Sequence, residues 1–126
     1  VTYFDFHSAS RPDDAGFCKL RGKTVFTYHC LEQLKYATPA VIDNIRRAGV
    51  RRVIHFEPTI EMLKLSSLMD IDDYLYIKRM DYQDNLLKTL WKYRNQGLLT
   101  ITEQRRLGFA PTPRHDHVLI VWEPCR

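Results

Sequence analysis

"TVFTYHCLEQL", residues 24–34, opens as a strand and becomes polar and reactive with no Gly or Pro between the two halves. Thr24 to Tyr28 are β-branched or aromatic residues, suited to a pleated and half-buried surface. His29, Cys30, Glu32 and Gln33 follow almost at once. In open α/β sheets ligands bind outside the carboxyl ends of the strands, so the junction reads as a site. Extended downstream, the same stretch decides the fold. Thr38-Pro39 predicts a helix start, with the Thr38 hydroxyl as N-cap and proline at the first helical position. Val41, Ile42, Ile45 and Ala48 then share one helical face, and Gly49 closes the helix. "VRRVIHFEP", residues 50–58, is a short apolar strand ending at Glu57-Pro58. Strand, helix, strand is a βαβ unit, and its two strands are expected to be parallel neighbours.

Working outward, Val1 to Phe6 alternates β-formers and predicts a further strand, closed by the turn residues of "SASRPDDAG". Thr59 is expected to cap a helix carrying Ile60, Leu63 and Leu68. Asp81 to Asn95 predicts a stronger helix, with Leu86, Leu87, Leu90 and Trp91 on one side and Gly97 past its end. "LLTITEQ" (98–104) and "HVLIVWE" (117–123) are two strands whose linker is too short for a crossover helix, hence an antiparallel pair. Residues 1–126 thus read as one α/β domain, a mostly parallel sheet with flanking helices and a C-terminal antiparallel hairpin.

A chain of 126 residues supports one core. Its 44% hydrophobic and 27% charged residues are those of a globular protein, and no run approaches the roughly 18 apolar residues of a membrane span. The net charge of +4 is a mild excess, placed in the doublets Arg46-Arg47, Arg51-Arg52 and Arg105-Arg106. Such doublets are a weak basis for nucleic-acid contact, which is not expected. Cys18, Cys30 and Cys125 are widely spaced, without a CxxC, and imply free thiols in a cytoplasmic-type, reducing compartment. The chain opens at Val1 inside what reads as a strand in progress, so a longer domain with an N-terminal part is expected.

Several residues carry competing readings. Cys30 beside His29 suggests a nucleophilic pair, but consecutive residues on an extended chain point to opposite sides, which favours a small buried hydrophobe. His115 and His117 form an H-x-H pair facing one way, too few ligands for a metal site. His55, between Ile54 and Phe56, reads as a satisfied core or edge histidine, and Trp91 and Trp122 as core. Tyr82 and Asn85 are spaced to share a face at a helix start, where they meet a ligand or merely neighbour capping by Asp81 or Asp84.

The succession "GKTVFTYHCLEQL", "VIHFEP", "DYQDNLL" and "VLIVWEP" resembles the C-terminal half of a class I S-adenosylmethionine-dependent methyltransferase, a Rossmann-like domain. It is most similar to small-molecule or sugar-type members with a Thr-x-His-x-x-Glu-Gln pattern after the fourth strand. The resemblance implies S-adenosyl-L-methionine as cofactor, with Asp5, Phe6, Thr27 and Tyr28 on the cofactor side. It implies methyl transfer to an oxygen or nitrogen of a small-molecule acceptor, bordered by Gln33, Pro58, Tyr82 and Asn85. His29 would act as general base, because imidazole titrates near neutrality, with Glu32 or Glu57 orienting it. The family's glycine-rich loop has no counterpart, since no two of the five glycines stand in a G-x-G spacing. The chain would therefore supply the acceptor side, bind the cofactor weakly by itself, and work with the N-terminal part of its own chain or a larger assembly. The alternative is a non-catalytic α/β module that binds a partner protein or nucleic acid.

Overall fold

A computed structural model describes residues 15–108 and 117–126. Asp5, Phe6, the strand expected over 1–6, and His115 lie outside the described residues. After a short 3-10 turn at Ala15–Leu20, strand β1 runs Thr24–Tyr28, helix α1 Thr38–Arg47 and strand β2 Arg52–Pro58. Helix α2 spans Leu68–Arg79, α3 Leu86–Asn95, and strands β3 and β4 span Leu99–Arg106 and His117–Pro124. The four strands form one mixed sheet in the order β1-β2-β4-β3.

β1 and β2 are parallel neighbours, with Thr27 opposite His55 and Tyr28 opposite Phe56, as the βαβ reading required. The expectation of a mostly parallel sheet does not hold. β4 pairs antiparallel with both β2 and β3, so one pairing of the three is parallel. The reason lies in burial. From His117 to Ile120 every residue of β4 is buried, and Trp122 is too, so this strand needs neighbours on both sides. β3 alternates exposed polar residues and ends in Glu103, Arg105 and Arg106, which suits an edge. The hairpin therefore turns β4 inward, against β2.

One sheet face is covered by α1 and α3. Val41, Ile42 and Ile45 from α1 and Leu86, Leu87 and Leu90 from α3 close over Val53, Val118, Ile120 and Trp122. Each fully buried aliphatic side chain contributes about 1.5–3 kcal/mol relative to exposure, which makes this layer the main source of stability. The other face carries Phe26 and Phe56, with ring centroids 5.4 Å apart, and Tyr28. Phe26 and Tyr28 remain 58% and 50% exposed, so this face is only partly covered.

Three helix expectations shift. α1 does begin at Thr38-Pro39, but Thr38 is not its N-cap. The preceding residues are already coiled, Ala37 occupies the cap position, and the Thr38 hydroxyl donates back to the Leu34 carbonyl at 2.9 Å. Gly49, at φ +71°, closes the helix as expected. Thr59 starts only a single 3-10 turn, Ile60–Met62, and α2 begins later at Leu68. α2 buries little apolar surface and is held instead by Asp70, which accepts a bidentate pair from Arg106 at 2.7 and 2.9 Å. The Arg106 guanidinium keeps the Asp70 carboxyl below its usual range. The helix predicted over 81–95 starts at Leu86, because Asp81 adopts a left-handed backbone, φ +54°, and breaks it. No helix among the described residues is long and apolar enough to cross a membrane.

What replaces that first helical turn is a clasp made by Gln83, which is 1% exposed. Its Oε1 accepts the amides of Asn85 and Leu86 at 3.2 and 2.9 Å, capping α3. Its Nε2 donates to the Pro58 carbonyl at 2.9 Å, and its own amide donates to the Glu32 carbonyl at 2.8 Å. One residue thus ties the end of β2, the segment after β1 and the start of α3, the first and last through its side chain. Gln83→Ala is expected to lower stability by about 2–4 kcal/mol, since buried donors and an acceptor lose their partners. Urea unfolding followed by far-UV circular dichroism measures it. Gln83→Glu keeps the capping acceptor but sets a second acceptor against the Pro58 carbonyl, and should also be destabilising.

Candidate functional site

The carboxyl ends of β1 and β2 lie side by side, and antiparallel β4 brings its first residue, His117, to the same edge, opposite Pro58. His29 leaves β1 here. Its amide makes a last sheet-like bond to the Phe56 carbonyl at 3.2 Å, and then its backbone turns left-handed, φ +50°. A non-glycine residue in that region costs about 1–2 kcal/mol, and such positions gather at functional sites. The turn breaks strand alternation, so Tyr28 and His29 end on the same side, their rings edge to face at 4.9 Å.

Four side chains converge there. Nδ1 of His29 lies 2.9 Å from Oε2 of Glu32, a contact within one turn of chain. A carboxylate only accepts, so Nδ1 carries a proton. Nε2 of His29 hydrogen-bonds Nε2 of His117, with the two rings perpendicular and their centroids 4.2 Å apart. Tyr28 stacks on the opposite side of His117, centroids 5.6 Å apart and planes within 12°. Glu32 and His117 are buried, and His29 is only 24% exposed at its side chain. His29 is therefore half-buried and doubly hydrogen-bonded.

Glu57 has a separate task. It is fully buried on the core side, and Oε1 accepts the amides of Cys30 and Leu31 at 3.2 and 3.3 Å and faces Cys30 Sγ at 3.5 Å. Its Oε2 is buried without a hydrogen-bond partner among the described residues. Burial pushes the Glu57 carboxyl above its ordinary value, while the Thr27 hydroxyl and the two amides pull the other way. Of the two carboxylates expected to orient His29, Glu32 touches the ring, whereas Glu57 holds the backbone that carries it. The Cys30 thiol is pushed up to about 12 by burial and by Glu57, which leaves it a protonated donor and no nucleophile.

Behind the edge runs a second polar chain. The Trp122 indole, donor only, gives its proton to Nε2 of His55 at 2.9 Å. Burial holds the His55 imidazole down at about 3, so the ring is neutral and its proton sits on Nδ1, 2.7 Å from the Thr27 hydroxyl oxygen. His55 is thus the satisfied core histidine that its apolar neighbours suggested. Thr27, expected beside a cofactor, is instead buried on the core face and engaged with His55.

The remaining expected residues scatter. Gln33 is exposed, and Pro58 is buried with its carbonyl taken by Gln83. Tyr82 packs edge-on against Tyr76 at 6.1 Å, and burial, then the Glu32 charge, raises its phenol. Asn85 does not share a helical face with Tyr82; its amide donates to the Lys35 carbonyl at 3.1 Å. Neither Asp81 nor Asp84 caps α3, for they pair with Lys35 and Lys78. His117 was legible only as half of an H-x-H pair, and its strand register supplies what the spacing could not. Among the described residues no group of three or more His, Cys, Asp or Glu is placed to hold a metal.

The glycine-rich loop that the resemblance would use to receive its cofactor has no G-x-G counterpart among the described residues. Gly22, Gly49 and Gly97, all at positive φ, stand at the end of the sheet opposite the carboxyl ends of β1 and β2, whereas Gly108 follows Leu107, whose amide bonds the His117 carbonyl at the carboxyl edge. Thr27, on the core face, is occupied by His55. Glu32, His29 and His117 form an acid–base edge.

Two outcomes follow from the buried groups. The unfolded chain protonates residue 55 near pH 6.5, while the folded protein resists until about 3. Stability from His55 is thus complete above 6.5 and is lost as pH falls through that window. Glu57, raised, has the opposite sign: its contribution is present below its ordinary value and fades as pH rises. His55→Gln should flatten the fall in urea midpoint between pH 6.5 and 4 relative to wild type, and cost about 1–3 kcal/mol at pH 7. At pH 8, iodoacetamide should label exposed Cys18 and Cys125 at least about 10²-fold faster than Cys30, read by peptide mass spectrometry.

Comparison with protein-family models, with curated proteins and with solved structures gives no match. The functional reading rests on the chemistry of the edge itself.

Proposed function

We propose that this chain supplies the acceptor side of an S-adenosylmethionine-dependent methyltransferase acting on a hydroxyl or amine of a small, sugar-type molecule, in a cytoplasmic-type compartment. The observation that carries the reading is the convergence of Glu32, His29, His117 and Tyr28 at the carboxyl edge of two parallel strands. Further support comes from the strands themselves. The resemblance assigns β1, β2, β3 and β4 to its fourth to seventh strands, with the first pair adjacent and the last strand antiparallel, and these elements occur at those places. A cofactor of this class supplies an electrophilic methyl group. Holding it falls to residues beyond those described, with Asp5 and Phe6 on that side by the resemblance.

What the edge contributes is proton management and enclosure. A hydroxyl becomes a better nucleophile as its proton leaves, and an imidazole braced by a carboxylate accepts that proton at neutral pH. Glu32 fixes the His29 tautomer and stabilises the imidazolium that forms. Glu57 fixes the backbone of Cys30 and Leu31, which keeps His29 on the edge. Tyr28, half exposed, offers a flat aromatic wall for a sugar ring or similar face. Gln33 is exposed on the same segment.

A second reading has its own observation. Phe26 on the sheet, and Leu68, Met69 and Leu75 on α2, are 58–86% exposed, more than a solitary module needs. A partner-binding module accounts for these positions without chemistry.

The test compares turnover with stability in the protein together with its cofactor-binding part, using methyl-labelled S-adenosylmethionine and a panel of monosaccharides. His29→Asn keeps the left-handed backbone, which asparagine tolerates, and removes the imidazole. Turnover per folded molecule should fall about 10²- to 10⁴-fold, with stability lowered by about 1–3 kcal/mol as buried Glu32 and His117 lose a partner. Glu57→Gln should show a smaller loss of turnover. Early melting of both variants with normal turnover per folded molecule would make these residues structural and favour the module.

A further inference from the structure

We infer that His117 is the third member of a proton relay, Glu32–His29–His117, and that the site gains or gives its working proton through His117. The inference builds on the acid–base role of His29 proposed above, but its hydrogen-bond logic stands on the rings alone.

Both nitrogens of His29 are engaged. Nδ1–H donates to Glu32, so in the neutral ring Nε2 is a lone pair, and the bond to His117 makes His117 Nε2–H the donor. A proton cannot be added to His29 at Nε2 while His117 also keeps one there. Charging His29 through this contact therefore requires His117 to pass its Nε2 proton across and to take another at Nδ1. The balance is closed. One proton leaves the acceptor and enters His117 Nδ1, and one crosses from His117 Nε2 to His29 Nε2. His29 becomes an imidazolium against the Glu32 carboxylate, and His117 ends neutral with its proton on the other nitrogen. No electron pair moves beyond those of the N–H and O–H bonds.

Three features of the fold hold this line in place. His117 stands at the first position of β4, registered against Pro58, while Tyr28 stacks flat on its ring and limits rotation. The left-handed backbone at His29 aims its ring across the end of β2 toward β4. His117 is 2% exposed, so its proton exchanges with a donor seated against the ring and not with bulk water. Among the described residues, the titratable groups around the pair include Glu32 on the ring of His29, Tyr28 on that of His117, Tyr82 beside Glu32, and Glu57 with Cys30 beneath the segment. Their order explains why two histidines sit in contact without two charges. The pair is built for one proton in transit, balanced by one carboxylate.

The test reads the protons directly. In the full protein with ¹⁵N-labelled histidines at pH 7, nuclear magnetic resonance should show His29 protonated at Nδ1 and His117 at Nε2. A scalar coupling should connect the two Nε2 atoms across the hydrogen bond. In His117→Gln the N–N coupling disappears, while the His29 Nδ1–H signal, held by Glu32, persists. Absence of the coupling in wild type, with both rings as independent Nε2–H tautomers, overturns the relay. The two proposals separate cleanly. Coupling without any methyl transfer keeps the relay and removes the methyltransferase reading, whereas His29-dependent methyl transfer without coupling does the reverse.

Discussion

A carboxylate buried at the end of a central strand has to find hydrogen-bond donors, and Glu57 finds them in the amides of Cys30 and Leu31 on the neighbouring chain segment. That bond fixes where the polypeptide goes after β1. Without it the two amides, buried beneath the edge, would need other acceptors, and the segment from His29 to Leu34 would have no fixed course over the core. Leu31, with no exposed surface, plugs the core just below, and Glu32 rises on the outer side to meet His29. The carboxylate is costly to bury, and the amide bonds together with the Thr27 hydroxyl offset that cost.

Gln83 performs the complementary task from the other direction. It reaches the Pro58 carbonyl, receives two amides at the start of α3, and bonds the Glu32 carbonyl through its own backbone. Glu57 and Gln83 thus grip the same segment from below and from the side. The strained backbone at His29 persists because its surroundings are over-determined in this way. Polar groups at this end of the sheet are arranged in two layers. The buried chain of Trp122, His55 and Thr27 is neutral and structural. The outer group of Glu32, His29 and His117 is joined side chain to side chain at the edge. Burial separates the two histidine chemistries: His55 is held neutral by desolvation, and His29 keeps both a carboxylate and partial exposure.

Much of the fold was legible from residue patterns. Thr24 to Tyr28 read as a strand to the residue, because five consecutive β-formers follow a glycine. The face of Val41, Ile42 and Ile45 announced α1, and Gly49 its end. The parallel pairing followed from chain connectivity, since a helix between two strands returns the second in the same direction. Reading failed where local and distant demands conflict. Asp81 has helix-start chemistry, yet its backbone is left-handed and its side chain answers Lys35. Thr38 has cap chemistry, yet the preceding turn already supplies the cap.

The sequence by itself determined that a polar, titratable run follows a buried strand, and hence that His29 and Glu32 stand at a sheet edge. Three residues of separation keep their side chains within reach of each other once the segment turns. Only the tertiary structure decided what else comes there. His117 is 88 residues from His29, and its arrival depends on β4 lying between β2 and β3 and running against them. That placement follows from the burial of Val118, Ile120 and Trp122, a property of the whole sheet. Likewise, Thr27 and Tyr28 are neighbours with the same β-forming character, but sheet alternation turns one into the core and the other toward the edge. Hydrogen-bond partners across strands are set by register, and register is a global outcome of packing.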